Sequence, residues 1–383
     1  LCLNSSILSI LFIFKDSFVI YRYPSAGNKC VIVKQDESSL KKLHSFSELG
    51  KADGFVFAPF CITEDTPAVL FDSPIRRVTE LDYDNILREV MYNGNCCVLN
   101  ERLKPYNGKL YDRKSYEEDF NCFKAAIREK RIDKAVLSRS LVLKDDNKKN
   151  VIRMFLKACE NNSDSYIVLI SSDQTGVWLV ATPEVLLERC GNVFHTIALA
   201  GTMDKRLVIS DNESKAIGKI SDIDISCWSN KNIWEQQYVS SYIKKRLSYF
   251  FSEIEELGPT TVSAGNVVHL RSDFFAEVDS IARISPGDIV RQLHPTPAVC
   301  GVPAGESYSL INSKEHNDRR YYSGFCGVVD TDGDSHLFVT LRCMEIFSDC
   351  YKLYAGGGIL AESNMEEEWR ETELKMKTMM DCI

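Results

Sequence analysis

The chain lacks the features that mark several classes of protein. It contains 14 cysteines, but no two are spaced as C-x-x-C, so the sequence does not indicate a structural zinc site. Scattered thiols without a disulfide framework fit a reduced compartment, and we expect a cytoplasmic protein. There is no excess of basic residues either, since 46 Lys and Arg stand against 54 Asp and Glu. A net charge of -8 argues against nucleic acid as a partner.

Long hydrophobic runs are also missing. Residues 7–14 are almost continuously apolar, but they are too few to span a bilayer and no basic leader precedes them. We therefore expect this segment to form a buried strand or helix, and we expect no membrane partner. Because residue 1 is leucine, we also expect the natural start of the protein to lie elsewhere.

The sequence has no internal repeat, no low-complexity tract and no linker rich in Pro, Gly or Ser. With 44% hydrophobic residues, 383 residues can bury one large core. We predict a single domain over residues 1–383, with an N-terminal sheet portion at 1–110 and a catalytic portion at 111–383. A monomer without an obligate protein partner is the default expectation.

Short β-like runs occur in the first portion at residues 18–21, 30–33 and 54–57. Next, a capping box at residues 115–118 and apolar residues at helical spacing predict a helix to about Glu129. Further strands are predicted at 134–143, 166–171, 176–181, 193–200, 324–329, 337–344 and 351–355, with one near Val267; helices are predicted from Ile152, over 231–250 and at the end of the chain. This irregular order favours an α+β fold, a mixed or antiparallel β-sheet sandwich flanked by helices.

The last predicted helix carries charged residues on one face. A capping box at residues 363–366 starts it, and Glu368, Glu371, Thr372 and Lys375 then lie within roughly 100° of one another on the helical wheel. Carboxylates three residues apart can hold a hard cation such as Mg²⁺. The alternative is a solvated acidic face on which Lys375 pairs with Glu371.

Three consecutive glycines, Gly356 to Gly358, end the strand before that helix and permit close approach to the backbone. The segment also fits G-x-G-x-x-A, the pattern of a dinucleotide-binding loop. No βαβ unit follows it, so we do not favour that interpretation.

Two further segments and one arginine attract attention. Residues 294–303 contain three prolines beside His294, which makes the segment rigid, and residues 315–327 combine Arg, Tyr and Gly. Arg342 is predicted to lie inside an apolar strand, where an unpaired guanidinium would be costly. A carboxylate of the protein or of a ligand should therefore meet it.

Taken together, these segments resemble the chorismate-utilising enzymes over about residues 110–380. The resemblance rests on motifs in the family's order: 134–139, 182–184, 198–202, 266–270, 294–303, 319–327, 354–359 and 368–375. The family includes isochorismate, salicylate, anthranilate and aminodeoxychorismate synthases. Around Glu235 the family often has histidines, whereas this chain reads Asn-Ile-Trp-Glu-Gln-Gln, and residues 363–365 lack the family's usual aspartate and proline.

The resemblance implies a role for each matching position. Lys134 would be the general base that activates water, and Glu184 the acid that protonates the departing hydroxyl. Such a base must be uncharged and such an acid protonated at neutral pH, so burial should shift the two groups in opposite directions. The other implied roles are Mg²⁺ ligands (Glu235, Glu371 and the nearby Glu368), carboxylate clamps (Arg342, Tyr322 and the backbone of Gly201 and Gly358) and groups around the ring (Thr202, His294 and Lys375).

Two residues discriminate among members of the family. Lys134 indicates water as the nucleophile, and Ala200 stands where the aminodeoxychorismate branch has a lysine. We therefore expect a magnesium-dependent isochorismate synthase that acts on the small molecule chorismate. Salicylate synthase is the nearest alternative, and a non-catalytic chorismate-binding protein is a more distant one. The sequence does not separate a menaquinone from a siderophore pathway.

Overall fold

The computed structural model describes residues 17–27, 29–51, 53–72, 79–82, 102–147, 149–205, 223–278 and 284–383. The apolar run at residues 7–14 lies outside these ranges. Seven of the eleven cysteines described are buried, and all eleven are free thiols. In the described part of the chain, no helix combines the length and the hydropathy needed to cross a bilayer.

The described residues form strands throughout the chain. These are β1 (Ser17–Arg22), β2 (Lys29–Gln35), β3 (Lys41–Leu43), β4 (Gly54–Ala58), β5 (Ala68–Phe71), β6 (Thr79–Asp82), β7 (Lys134–Lys144), β8 (Tyr166–Ser172), β9 (Gly176–Thr182), β10 (Val185–Cys190), β11 (Val193–Asp204), β12 (Glu255–Ala264), β13 (Val267–Glu277), β14 (Gly301–Val302), β15 (Phe325–Val329), β16 (Ser335–Val339), β17 (Cys343–Ile346) and β18 (Cys350–Ile359).

Helices separate several of these strands. They are α1 (Arg113–Arg128), α2 (Val151–Asn161), α3 (Asn230–Leu247), α4 (Pro286–Leu293), α5 (Ala304–Lys314) and α6 (Met365–Met380). Short 3-10 helices lie at Glu37–Ser39, Phe46–Lys51 and Ile225–Cys227.

The strands form two nine-stranded sheets. The first has the order β14-β7-β18-β17-β9-β8-β1-β2-β6, and the second has the order β12-β13-β11-β10-β16-β15-β4-β5-β3. Every strand pair between described strands is antiparallel. Strands from residues 17–82 pair directly with strands of the later portion in both sheets, for example β1 with β8 and β4 with β15.

Apolar side chains fill three layers. Between the sheets lie residues of both, including Val19 and Val168 from the first and Phe55 and Phe338 from the second. Outside the first sheet, α2 and α6 bury a second cluster, and outside the second sheet α3 and α4 bury a third. The α+β sandwich flanked by helices is therefore confirmed.

Both predicted capping boxes are wrong in position. The N-cap of α1 is Asp112, whose side chain accepts hydrogen bonds from the backbone N–H and the hydroxyl of Ser115. The N-cap of α6 is Asn364, and the Ser363 hydroxyl instead accepts from the backbone N–H of Leu360. A carboxylate three residues before Ser115 and an amide directly after Ser363 supply the capping oxygens, and these groups cap helices at least as well as serine.

The single strand predicted over residues 337–344 is also wrong. The chain leaves β16 in the second sheet and enters β17 in the first, with Arg342 between them. Arg342 has a φ of 47°, in the left-handed region that ends a strand. The arginine therefore stands at a crossover between the sheets rather than inside a strand.

Candidate active site

Strands β7 and β18 pair over ten residues and bring two sequence motifs together. The register places Gly358 opposite Val136 and Ile359 opposite Ala135, so the glycine segment lies beside the start of β7. Helix α6 follows directly and folds back on β18, while the N-terminal half of α3 reaches the same glycines. Lys134, Glu235 and Glu368, which are far apart in sequence, thus converge on Gly357 and Gly358.

A cleft between these elements encloses about 600 Å³, including the part open to solvent. Most of the site residues predicted from the sequence line it: Glu184, Gly201, Thr202, Glu235, Tyr322, Arg342, Gly358 and Lys375. Val136, Leu199, Ala298 and Leu341 give the cleft an apolar side. Charged groups that converge beside apolar walls are typical of a binding site for a small anionic molecule.

Lys134 lies behind the lining of this cleft, in contact with Glu235 and beside Gly358, which both line it. Its side chain is fully buried, and its Nζ is 3.1 Å from Oε1 of Glu235. A Cβ atom added to Gly358 would stand 2.9 Å from Lys134 Cε and in collision with the Glu235 carboxylate. The backbone of Gly358 therefore covers the lysine closely, and only glycine leaves room for both side chains.

Like Glu235 of α3, two carboxylates of α6 are paired with lysines. Lys231 Nζ lies 2.5 Å from Glu368 Oε1, and Lys375 Nζ lies 2.7 Å from Glu371 Oε1. Lys375 also donates to the carbonyl of Gly356 at 2.9 Å. The i, i+4 pairing of Lys375 with Glu371, which the sequence left as an alternative to a metal site, is thus present, but in a largely buried setting rather than on a solvated face.

Glu184 is the acid that the structure keeps protonated. It is 3% exposed, and burial raises its pKa to about 8, although the charges of Lys134, Lys375 and Arg342 act in the opposite direction. A carboxyl with this pKa holds its proton at neutral pH and can give it to a leaving group. The predicted raised pKa of Glu184 is therefore present in the structure.

The pKa values of Glu368 and Glu371 on α6 are shifted in opposite directions. Burial and the nearby Glu371 charge raise the pKa of Glu368 to about 7, despite the ammonium of Lys231. Burial also disfavours the charge of Glu371, but Lys375 and Lys231 outweigh it and lower the pKa of that carboxyl. The Thr202 hydroxyl, which hydrogen-bonds Glu371, adds to this effect.

The donor set fits a hard divalent cation in part. Glu368 Oε2 is buried without a hydrogen-bond partner, and both Glu368 and Glu371 lie over Gly357, where an added Cβ would meet Glu368 Oε2 at 2.7 Å. Among the residues described, however, no three His, Cys, Asp or Glu side chains form a ready metal cage. Two carboxylates completed by substrate oxygens and water are the coordination that Mg²⁺ often uses in enzymes.

Within the described ranges Arg342 does not meet a carboxylate of the protein, so of the two predicted partners only a carboxylate of a ligand is left. Nη2 of Arg342 donates instead to Nε2 of His269 at 2.6 Å, and Nδ1 of His269 lies 2.8 Å from the carbonyl oxygen of Gly201. A carbonyl only accepts, so Nδ1 carries the hydrogen and the ring is neutral. Burial and the charge of Arg342 lower the pKa of His269 well below its ordinary value, which agrees with this assignment.

Tyr322 and Gly201 take the predicted positions at the cleft. Tyr322 is buried and stacks on Tyr354, with ring centroids 5.7 Å apart. Gly201 lies in a bulge of β11, where the pairing with β13 shifts register, and has a φ of 69°. The bulge turns the backbone toward the cleft, and a positive φ favours glycine there.

His294 stands apart from the other predicted residues. Its ring packs edge-on against Phe46 and Phe325, with centroids 5.1 and 4.9 Å away, and it does not line the cleft. Burial lowers its pKa to about 4, so the ring is uncharged. The structure gives His294 a place in the core beside α4, and contact with a substrate remains only a prediction from the resemblance.

Sequence reasoning missed several residues that position the site. His269 lies within a motif that carried the resemblance, but nothing in the sequence alone links it to Arg342. Gln236 joins α3 to β11 because its amide oxygen accepts from Ala200 N and its amide nitrogen donates to Ala198 O. Asn232 donates to the carbonyl of Thr202. The amides of Gln236 and Asn232 therefore anchor this helix to the strand that bears Gly201.

A second cleft of about 780 Å³ lies elsewhere and is larger than the first. It is lined by residues 106–111 together with Ser115, His316, Asn317, Asp318, Arg320, Glu345, Phe347 and Lys352. None of the predicted site residues faces it. The smaller cleft is the candidate active site because Glu184 lines it and because Lys134 and Glu371 pair with two other lining residues, Glu235 and Lys375.

Comparison with known proteins agrees with this architecture. The family model described as chorismate binding enzyme matches residues 78–383. The protein therefore belongs to the chorismate binding enzyme family, as the motifs predicted. Isochorismate synthase DhbC of Bacillus subtilis is 30% identical over 266 residues, which cover 68% of this chain and 65% of that protein. Vibriobactin-specific isochorismate synthase of Vibrio cholerae is 28% identical over 250 residues, which cover 65% of this chain and 61% of that protein.

Solved structures show the same fold. A 2,3-dihydroxybenzoate-specific isochorismate synthase, DhbC from Bacillus anthracis, superposes with a TM-score of 0.75 at 21% identity, covering 97% of this chain and 98% of that one. MenF, the menaquinone-specific isochorismate synthase from Escherichia coli, gives 0.71 at 19% identity, covering 100% and 91%. Anthranilate synthase component I from Streptococcus pneumoniae gives 0.64 at 17% identity, covering 94% and 89%. At these identities the likeness concerns the fold, which isochorismate and anthranilate synthases share.

Proposed function

We propose that this protein is a magnesium-dependent isochorismate synthase, which converts chorismate to isochorismate. The observation that carries the proposal is a buried carboxylic acid with a pKa of about 8, Glu184, which lines the cleft, together with a fully buried lysine, Lys134, that contacts the lining residues Glu235 and Gly358. An acid that can give a proton to the leaving hydroxyl and an amine that can take one from water are the two groups that a transfer of water across a ring requires.

Substrate binding begins with charge. Chorismate carries two carboxylates, and Arg342 would bind one of them, with its guanidinium held by the neutral ring of His269. Tyr322 and the backbone at Gly201 and Gly358 would add hydrogen-bonding and packing contacts along the same wall. Fixing the ring in this way places its reacting carbons between the base and the acid.

The chemical step is balanced in protons. Lys134 would take a proton from water as its oxygen bonds to C2 of the ring, the double bonds shift, and the C4 hydroxyl departs with the proton of Glu184 as a second water. One water is consumed and one released, so substrate and product are isomers. A proton must then pass from Lys134 back to Glu184 through solvent before the next turnover.

The negative cluster on α6 suits a divalent cation at the second substrate carboxylate. Glu368 and Glu371 would hold Mg²⁺, with Glu235 beside them, and the ion would supply charge neutralisation and orientation of that carboxylate. Lys134 Nζ lies 3.1 Å from Oε1 of Glu235. The proposed chemistry requires this contact to open, so that Lys134 can accept a proton from water.

Relatives support the same activity without settling the pathway. The curated proteins similar to this chain include the vibriobactin-specific isochorismate synthase, DhbC and MenF of Bacillus subtilis, and MenF of Escherichia coli, at 28–30% identity. The chain spans 53–65% of the length of these four proteins. Both a menaquinone and a siderophore role are compatible with these names.

Product analysis tests the proposal. Purified protein incubated with chorismate and Mg²⁺ should yield isochorismate, separated from chorismate by liquid chromatography and identified by mass and absorbance. Fluorescent salicylate as the main product would instead select a salicylate synthase. Binding of chorismate without any product would leave only a chorismate-binding protein and would reject the proposed enzyme.

A further inference from the structure

Lys231 is a charged residue at the site to which the chemistry gives no role. It is the second residue of α3, in a first turn that contains no acidic residue. A cation at the N-terminus of a helix meets the positive end of the helix dipole, which disfavours it. Some other contact must therefore keep this ammonium in place.

That contact is the acidic cluster of the predicted metal site. Lys231 Nζ lies 2.5 Å from Glu368 Oε1, and the charges of Glu368, Glu371 and Glu235 all stabilise the ammonium. Glu368 itself is 1% exposed, and its second oxygen, Oε2, is buried without a hydrogen-bond partner. The ammonium thus stands against the same three carboxylates that a divalent cation would use.

The three lysines of the site differ in how easily their ammonium groups can move away from the carboxylates. The side chains of Lys134 and Lys375 are 0% and 15% exposed, and Lys375 is also fixed to the carbonyl of Gly356. The Lys231 side chain is 20% exposed and comes from the first turn of its helix. A long flexible side chain in that position can move its charged end into water.

We infer that Lys231 is an exchangeable counter-ion of the metal site, which holds Glu368 in place without the metal and moves out when the divalent cation binds. This inference rests on the proposed metal dependence. Lys231 acts through Glu368 and is a positioning residue, not a catalytic one. Its presence lowers the affinity for the metal and keeps the buried carboxylate ordered between turnovers.

Metal titration of the 383-residue chain tests the inference without turnover. Mn²⁺ serves as the probe, and free Mn²⁺ is followed by electron paramagnetic resonance. We expect Lys231→Met to bind Mn²⁺ about tenfold more tightly than the unmodified chain, because a competing buried charge has been removed. Lys231→Arg keeps the charge and should stay within about twofold of it.

The matched control lies on the same helix. Lys244 pairs with Glu256 at 2.9 Å on the surface, far from the N-terminus of α3, so Lys244→Met removes the same charge without touching the cluster. It should leave Mn²⁺ affinity and activity unchanged. A second measurement guards against a folding defect: the Tm of Lys231→Met should fall without metal and recover on addition of Mn²⁺ by more than that of the unmodified chain.

The outcomes separate this inference from the proposed function. Unchanged or weaker Mn²⁺ binding by Lys231→Met would overturn the counter-ion role, even if the unmodified chain makes isochorismate in a metal-dependent way. A Lys231→Met chain that Mn²⁺ fails to restabilise would overturn it as well. If the unmodified chain makes isochorismate and binds no divalent cation, the metal site and this inference both fail, while the activity stands.

Discussion

Arg342 donates a hydrogen bond of 2.6 Å to Nε2 of His269, a residue 73 positions earlier in the chain. His269 can accept it because its other nitrogen donates to the carbonyl of Gly201. One neutral ring thus joins the crossover between the two sheets to the bulge of β11. The direction of the guanidinium in the cleft is set by this contact, since no carboxylate among the described residues pairs with it.

Replacement of His269 should therefore weaken binding of the substrate. His269→Leu removes both hydrogen bonds, and we expect KM for chorismate to rise about tenfold, because the anion-binding guanidinium loses its orientation. The effect on kcat should be smaller. His269→Gln keeps an acceptor for Arg342 and should recover part of the loss. Steady-state kinetics of both variants measure this, and an unchanged KM in His269→Leu would contradict the assigned role.

The pKa of Glu184 predicts how activity depends on pH. Because burial raises this pKa to about 8, the acid form prevails at neutral pH and is lost as the pH rises through 8. We expect kcat to fall above about pH 8 for this reason, whereas an ordinary glutamic acid would lose its proton near pH 4.3. The pH profile of kcat tests this, and a constant kcat from pH 7 to 10 would exclude Glu184 as the proton donor.

Glu184→Gln should remove the proton donor without a change of shape. General acid catalysis is worth about 10²–10⁴-fold, so we expect kcat to drop by that factor while chorismate still binds. The matched comparison is with Glu345→Gln, because Glu345 is also buried with a raised pKa but lies in the second cleft. The latter variant should keep kcat. Equal losses in both variants would indicate general damage to the sheet rather than loss of an acid.

Gly358→Ala should inactivate the enzyme without unfolding it. The added methyl group would stand 2.9 Å from Lys134 Cε and collide with Glu235, so both side chains must shift. A shift of about 1 Å in a catalytic group can cost about 10²-fold in rate. Gly305→Ala is the control, because a Cβ atom added to this exposed helical glycine would meet no other atom within 4 Å. Kinetics and circular dichroism together check the prediction, which fails if Gly358→Ala retains full activity.

Metal removal should abolish turnover. With EDTA we expect no isochorismate, and added Mg²⁺ should restore the activity, because the carboxylates of Glu368 and Glu371 need a cation at the substrate. Glu371→Gln should raise the Mg²⁺ concentration needed for half-maximal rate about tenfold or more, by loss of a charged ligand. Full activity in EDTA would show that the acidic cluster serves the fold alone.

Local patterns predicted most of the elements of this fold. The runs at residues 18–21, 30–33 and 54–57 lie in β1, β2 and β4. The helix predicted to end at about Glu129 is α1, which ends one residue earlier, at Arg128. These predictions succeed because burial imposes a period on each element. The prediction for residues 337–344 failed because an apolar run carries no sign of a chain that changes sheets at Arg342.

Contacts between residues far apart in the chain could not be predicted from the sequence. The pairing of Lys134 with Glu235 and of Lys231 with Glu368 depends on how α3 and α6 dock on β18, which no local pattern contains. The resemblance to the family named Lys134, Glu184 and the acidic residues, and the structure brings these together. It could not indicate that His294 lies in the core between two phenylalanines.

The origin of the oxygen in the product tests the central claim most directly. If the buried lysine activates water, isochorismate formed by the unmodified chain in ¹⁸O-labelled water should carry one ¹⁸O in its new hydroxyl, as seen by mass spectrometry. Lys134→Ala, with the same fold by circular dichroism, should form labelled product at least about 10²-fold more slowly. Product without ¹⁸O, or labelled product formed by Lys134→Ala at the rate of the unmodified chain, would contradict the account.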